Sequence, residues 1–280
     1  MASSRTNEDW KRLITSKIDR LQSPNSESHN SGSIESDFTA IVSPNDPKLP
    51  LAIDHTLLKP DATNEQVDEL CREARKWGFK SCCVNGSQVN RVVENLRGTS
   101  VIACAVVGFP LGAGTSKSKA FEASQAIEDG AQEVDMVINV GALKSKDYNL
   151  VYEDIKAVTE VAHISSSSKI LVKVILETIS LTNGEIMAAS YIAAEAGADY
   201  VKTSTGFLGG GATEEHVGLM RRSVAYKDGD EGGERRVKVK ASGGVRTFES
   251  CVKMFKAGAE RIGTSSGIAI MESRRSDATY

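Results

Sequence analysis

From residue 50 onward the chain alternates between two hydrophobic patterns. Short runs of Val, Ile, Leu, Ala and Cys read as strands buried on both faces. They fall near residues 51–57, 81–85, 101–107, 133–140, 169–177, 200–204, 237–241 and 261–264. Between them, apolar residues recur at three- and four-residue spacing, the mark of amphipathic helices. These stretches lie near 64–77, 87–97, 117–129, 149–163, 182–196, 213–222, 247–257 and 266–272. Gly78, Gly130, Gly197 and Gly258 each follow a helical stretch, where a left-handed C-terminal residue belongs. Eight β–α units in about 220 residues predict a (β/α)8 TIM barrel of the α/β class. A doubly wound open sheet would want a glycine-rich fingerprint after its first strand. Here that strand runs into Asp54-His-Thr-Leu-Leu-Lys-Pro60, which holds no glycine.

The flanks differ. Residues 1–47 are rich in Ser and Asn and form an N-terminal extension, expected to be partly helical or disordered. One amphipathic helix is expected from about Glu8 to Leu21, with Trp10, Leu13, Ile14, Ile18 and Leu21 on one face. The extension has no apolar core of the signal-peptide type, and it is too acidic for a transit peptide. The barrel is expected to span 48–272, with a flexible tail at 273–280. That polar tail is long enough to reach back over the barrel and bring the phenol of Tyr280 to the site. The segment Asp228–Glu234 falls before the seventh strand, on the face of the barrel away from catalysis, and is given no chemical role.

Composition narrows the partners. The net charge is −3 and 25% of the residues are charged, so nothing points to nucleic acid or an anionic membrane. No apolar run approaches the roughly 20 residues of a membrane span. Five cysteines (Cys71, Cys82, Cys83, Cys104 and Cys251) lack a C-x-x-C pair and lie mostly in apolar runs. That fits a reducing compartment, and a cytoplasmic location is expected. The four histidines show no metal-ligand spacing, so neither a metal nor another cofactor is expected.

Barrel enzymes draw their chemistry from the carboxyl ends of the strands and the loops beyond them. Polar residues interrupt several apolar strands there: Asp54 and Thr56 in the first, Cys83 and Asn85 in the second, Asp135 and Asn139 in the fourth, Lys173 and Glu177 in the fifth. The sixth reads Tyr200-Val-Lys-Thr-Ser-Thr-Gly206 and the seventh Val237-Lys-Val-Lys-Ala-Ser-Gly-Gly-Val245. A lysine in a buried strand is costly. It becomes useful as an amine nucleophile toward a carbonyl. Lys202 and Lys240 hold that position, whereas Lys238 lies about 7 Å lower on its strand and is expected to pair with a carboxylate or reach the rim. The loops Ser242-Gly-Gly-Val-Arg246 and Gly263-Thr-Ser-Ser-Gly267 each open a helix and offer backbone N–H groups to a phosphate.

These strings, with Val107-Gly-Phe-Pro-Leu-Gly112 and Arg261-Ile-Gly-Thr-Ser-Ser266, resemble in order those of the deoxyribose-phosphate aldolases. The resemblance covers residues 50–267 and implies reversible, metal-independent cleavage of 2-deoxy-D-ribose 5-phosphate to acetaldehyde and D-glyceraldehyde 3-phosphate. It implies that Lys202 forms a Schiff base, that Lys240 is the neighbouring cation that favours the neutral amine, and that Asp135 relays protons. Asp54, Thr56, Cys83, Lys173 and Thr205 are then expected on the substrate, and Gly206, Gly243, Gly244, Ser265 and Ser266 on its phosphate. Some members of the family carry a lysine where this chain has Phe207, which shifts phosphate binding to the last two loops. A small phosphosugar and acetaldehyde are the expected partners, and a homodimer is left open.

Overall fold

The computed structural model describes residues 5–22, 38–164, 169–224 and 237–274. Eight parallel strands close into a barrel in sequence order, with the first paired to the last. They are β1 (Ile53–Leu57), β2 (Ser81–Val84), β3 (Ile102–Val107), β4 (Glu133–Val137), β5 (Leu171–Ile175), β6 (Tyr200–Lys202), β7 (Lys238–Ser242) and β8 (Arg261–Thr264). The expected (β/α)8 fold is therefore the fold observed. The helices around it are α2 (Asn64–Trp77), α3 (Val89–Leu96), α4 (Ser116–Glu128), α6 (Tyr148–Ile164), α7 (Asn183–Glu195), α8 (Glu214–Val224), α9 (Phe248–Lys256) and the short α10 (Gly267–Met271).

Local chemistry explains why the elements start and stop where they do. Thr63, Thr182 and Thr247 cap α2, α7 and α9, and each is paired with the third helical residue in a capping box. Such caps contribute about 1 kcal/mol each. Gly78, Gly130, Gly197 and Gly258 all take the positive φ that ends a helix, between 68° and 109°. Of the strands that stop earlier than their apolar runs predict, β4 and β5 show the reason locally. β4 ends at Val137, because Asn139 turns the chain into a five-residue helix, α5 (Val140–Lys144), and accepts from the N–H of Ala142. β5 ends at Ile175, because Glu177 adopts a left-handed backbone with φ of 57°.

Strand alternation sorts the side chains. In β1, Asp54 and Thr56 face the barrel interior, while His55 packs outward against the ring of Phe79, 5.1 Å between centroids. Lys238 lies at the bottom rim beside Glu260, 3.7 Å away, as expected of the lower lysine.

The described part of the N-terminal extension packs on the barrel through the apolar face expected of its helix. Its helix, α1 (Asn7–Gln22), lies against α6 and α7. Trp10 is fully buried, with its ring 5.0 Å from Tyr152 and 6.3 Å from Tyr191. Arg5 stacks on the indole and pairs with Glu195 at 2.7 Å. Ile41 and Leu49 are buried too, and Phe38 stacks on Phe255. The segments 228–234 and 275–280, including Tyr280, lie outside the described residues.

If Trp10 fastens α1 to the barrel, Trp10→Ala removes about 3–5 kcal/mol of local packing. Amide exchange across Asn7–Gln22 should then accelerate strongly, while exchange in the barrel strands changes little. Unchanged exchange in α1 would contradict this docking.

Candidate active site

The interior of the barrel is filled by charge. Register aligns Lys202 with Lys240 and Lys240 with Arg261, so these three point inward from adjacent strands. Asp135 and Lys173 are likewise opposite one another on β4 and β5. The centre is the carboxylate of Asp135. Its Oδ2 accepts from Lys202 Nζ at 2.7 Å and from Lys240 Nζ at 2.8 Å. Its Oδ1 accepts from Lys173 Nζ at 2.8 Å and from the Cys104 thiol at 3.3 Å.

Below and beside it lies a second tier. Lys240 Nζ is 2.5 Å from Asp54 Oδ2. Asp54 Oδ1 accepts from Ser81 and from Arg261, each at 2.6 Å. Arg261 reaches both oxygens of Glu133 at 3.1 Å, and Lys173 Nζ lies 2.5 Å from Glu133. Among the described residues, Lys202 has one carboxylate within ion-pair distance, Lys240 two and Lys173 three. Lys173 and Lys240 are fully enclosed, whereas Lys202 keeps 3% of its surface exposed.

Pairing on this scale is obligatory, since an isolated charge in such a place costs several kcal/mol. Burial pushes the carboxyls of Asp135 and Asp54 up, but the surrounding lysines and Arg261 outweigh it and hold both well below the usual range. Burial likewise opposes charge on Lys240, but Asp135 and Asp54 prevail and keep its ammonium above the ordinary lysine pKa. Lys173 behaves in the same way beside Asp135, Cys104 and Glu133.

An apolar wall adjoins the cluster. Leu58, Cys83, Cys104 and Val106 pack with Phe109 and Phe207, whose rings meet edge to face at 5.1 Å. Cys83, Cys104 and Asp135 bring ligand atoms within 4.8 Å of one another. Three ammonium groups already occupy that carboxylate, which opposes a metal cation there. Burial also holds the Cys104 thiol well above its ordinary pKa, so it donates to Asp135 instead of offering a thiolate.

At the mouth, two glycine loops touch. A Cβ on Gly211 would fall 2.2 Å from the carbonyl oxygen of Gly243, so loop 6 docks on loop 7 backbone to backbone. Gly243 and Gly244 have φ of 87° and 74°, and Gly244 is exposed with open space above it. Two expected ligands are otherwise engaged. The N–H of Ser266 donates to Thr264 Oγ1 at 2.9 Å. The Thr205 hydroxyl donates to Glu177 and accepts from the N–H of Phe207, fixing the start of loop 6. Thr56 donates to the carbonyl of Asp54 at 2.9 Å.

The sequence reading brought Lys202, Lys240, Asp135, Asp54, Lys173 and Cys83 to one place. It assigned no role to Ser81, Cys104, Glu133, Arg261 or Gly263. The signal for Glu133 was present, since it shares strand parity with Asp135. Gly263 is explained by space: a Cβ there would lie 2.9 Å from Lys240 Cε.

A barrel with a lysine-rich centre defines a class of enzyme, and comparison with known proteins gives its family. The model of the "DeoC/LacD family aldolase" matches residues 48–273. The chain belongs to that family and is a carbon–carbon lyase. It is 54% identical to the deoxyribose-phosphate aldolase of Geobacillus sp. (strain WCH70) over 228 residues, 81% of this chain and 96% of that one. With the Streptococcus sanguinis (strain SK36) enzyme of the same name it shares 52% identity, over 83% of this chain and all of the relative. Among solved structures, the tetrameric deoxyribose phosphate aldolase from Aeropyrum pernix superposes with a TM-score of 0.73 at 32% identity, covering 84% of this chain and 94% of that one. A structure from Coccidioides immitis assigned to the same activity covers 96% of this chain and 98% of its own, with a TM-score of 0.83 and 42% identity. Among the described residues, no helix is long and apolar enough to cross a membrane.

Because Lys240 is pinned between two carboxylates, Gly263→Ala should push its ammonium away from Asp135. Turnover should fall about a hundredfold while the thermal midpoint stays near the parent's. Undiminished turnover would show that the position of Lys240 tolerates the methyl group.

Proposed function

We propose that the chain cleaves 2-deoxy-D-ribose 5-phosphate reversibly to acetaldehyde and D-glyceraldehyde 3-phosphate through a Schiff base on Lys202, without a metal. One observation carries this reading. Three lysines converge on Asp135, and among the described residues Lys202 alone of the three has no second carboxylate within ion-pair distance. It has the fewest ion pairs to give up on moving toward a substrate. It is also the one of the three that keeps any exposed surface, 3%.

The amine of Lys202 adds to C1 of the open-chain sugar, and the carbinolamine loses water to give an iminium. Deprotonation of the C3 hydroxyl lets the C2–C3 bond break. Its electron pair moves into the enamine, and glyceraldehyde 3-phosphate departs. Protonation of the enamine carbon and hydrolysis release acetaldehyde and regenerate the amine. Asp135 passes protons between these steps. Lys240 stays an ammonium beside Asp135 and Asp54, which favours the neutral form of its neighbour. Thr56 and Cys83 border the two-carbon end, with Asp54 and Lys173 beneath them. Thr205 holds loop 6, and the 5-phosphate rests on the backbone about Gly206, Gly243, Gly244 and Ser265, with the Ser266 N–H given to Thr264 instead. The apolar contact of Phe207 with Phe109 leaves loop 6 without a cation for the phosphate. The reaction belongs to deoxyribonucleoside breakdown in the cytoplasm, and we read the working unit as a homo-oligomer, with the dimer as its simplest form.

Stoichiometric release of the two aldehydes from deoxyribose 5-phosphate tests the proposal. Lys202→Ala should reduce the rate to background, and Lys240→Leu should lower kcat by 10²-fold or more, in the range of lost acid–base assistance. EDTA should leave the parent rate unchanged. Gly244→Leu should raise KM for the phosphorylated sugar and spare the slow cleavage of deoxyribose itself. Full activity in Lys202→Ala would overturn the assignment.

A further inference from the structure

The buried cluster does not balance. Lys173, Lys202, Lys240 and Arg261 contribute four cationic side chains, and Asp54, Glu133 and Asp135 contribute three carboxylates. All seven are at most 5% exposed. Among the described residues, the groups bordering them include Ser81 and Cys83 on β2, Cys104 on β3, and the Tyr200 ring, which lies 5.4 Å from the Arg261 guanidinium. With every group charged the cluster carries one excess positive charge, and a low-dielectric interior disfavours that excess.

We infer that Glu133 and Arg261 are positioning residues that set, through the net charge of the cluster, the pH at which Lys202 forms its imine. The inference rests on Lys202 being the nucleophile. Neither residue reaches the barrel mouth. Glu133 acts through Lys173, which it holds 2.5 Å away and which occupies Oδ1 of Asp135. Arg261 acts through Asp54, whose other oxygen holds Lys240. The two are opposite in sign and joined by two hydrogen bonds of 3.1 Å, so their influences on Lys202 oppose each other.

That opposition separates electrostatics from packing. Removing the negative charge of Glu133 enlarges the positive excess, so the ammonium of Lys202 becomes less favourable and loses its proton at lower pH. Removing the charge of Arg261 does the reverse. A loosened fold would move both variants the same way, or move neither.

The measurement is the pH dependence of borohydride-trapped acetaldehyde adduct in the full-length protein. Glu133→Gln should move the midpoint to lower pH and Arg261→Gln to higher pH, each on the order of one unit. Arg261→Lys should restore the parent midpoint. Where Arg261→Gln does not fold, it is made together with Glu133→Gln, and the double variant should return from the Glu133→Gln value to the parent's. Where neither single variant folds, the double variant is compared directly with the parent, and a midpoint displaced by more than half a unit overturns the inference. Shifts of the same sign, or none, also overturn it while leaving the nucleophile in place. An absent adduct at Lys202 in the parent would instead remove the reading on which the inference stands.

Discussion

Asp135 is the constraint on which the rest of the structure depends. It is wholly buried on β4, and burial alone would strip its charge. Lys173, Lys202 and Lys240 arrive from the next three strands in order and keep it ionised. Among the described residues, Lys202 has no other carboxylate within ion-pair distance, while Lys240 shares Asp54 and Lys173 shares Glu133 and Asp54. Taking one partner from such a cluster costs about 3–5 kcal/mol, because the others are left buried and unpaired. The fold and the cluster are therefore tied together: the barrel closes in the register that makes this pairing. Closure of β8 onto β1 brings Arg261 into the same network, where it meets Asp54 of β1 and Glu133 of β4.

Much of this was legible in the chain. The eight strands announce themselves because both faces are covered, which produces apolar runs instead of alternation. Lys202 and Lys240 stand out because ammonium groups do not belong in such runs. Parity along β7 distinguished Lys240 from Lys238, and the structure places the latter at the rim beside Glu260. What was not legible depends on contacts across strands. Arg261 opens β8 and was given no role of its own, but the register sets it beside Lys240 and its guanidinium reaches Glu133. Ser266 sits in a loop that reads as a phosphate cradle, yet a threonine two residues earlier accepts its N–H. The Thr205 hydroxyl is taken by Glu177, whose left-handed backbone no propensity argument foretells. The helix expected at Glu8–Leu21 was legible from its apolar face; that its Trp10 seats between Tyr152 and Tyr191 of the barrel helices was not.

The division of labour within the site follows from depth. The lower tier of Glu133, Arg261, Asp54 and Lys173 is buried and joined by ion pairs. Above it, Asp135 gathers Lys240 and Lys202. The upper rim offers glycine backbone and an apolar wall, suited to a phosphorylated sugar whose reacting end is small and uncharged. α1 packs on the outside of α6 and α7, so it adds to the stability of the barrel wall without entering the site.

The central claim is that, of three lysines sharing one carboxylate, Lys202 is the nucleophile. Peptide mapping after borohydride reduction with acetaldehyde tests it most directly. The account predicts one reduced two-carbon unit per chain, on the peptide containing Lys202, with Lys240 and Lys173 unmodified. An adduct on Lys240 or Lys173, or one that persists in Lys202→Ala, would contradict it.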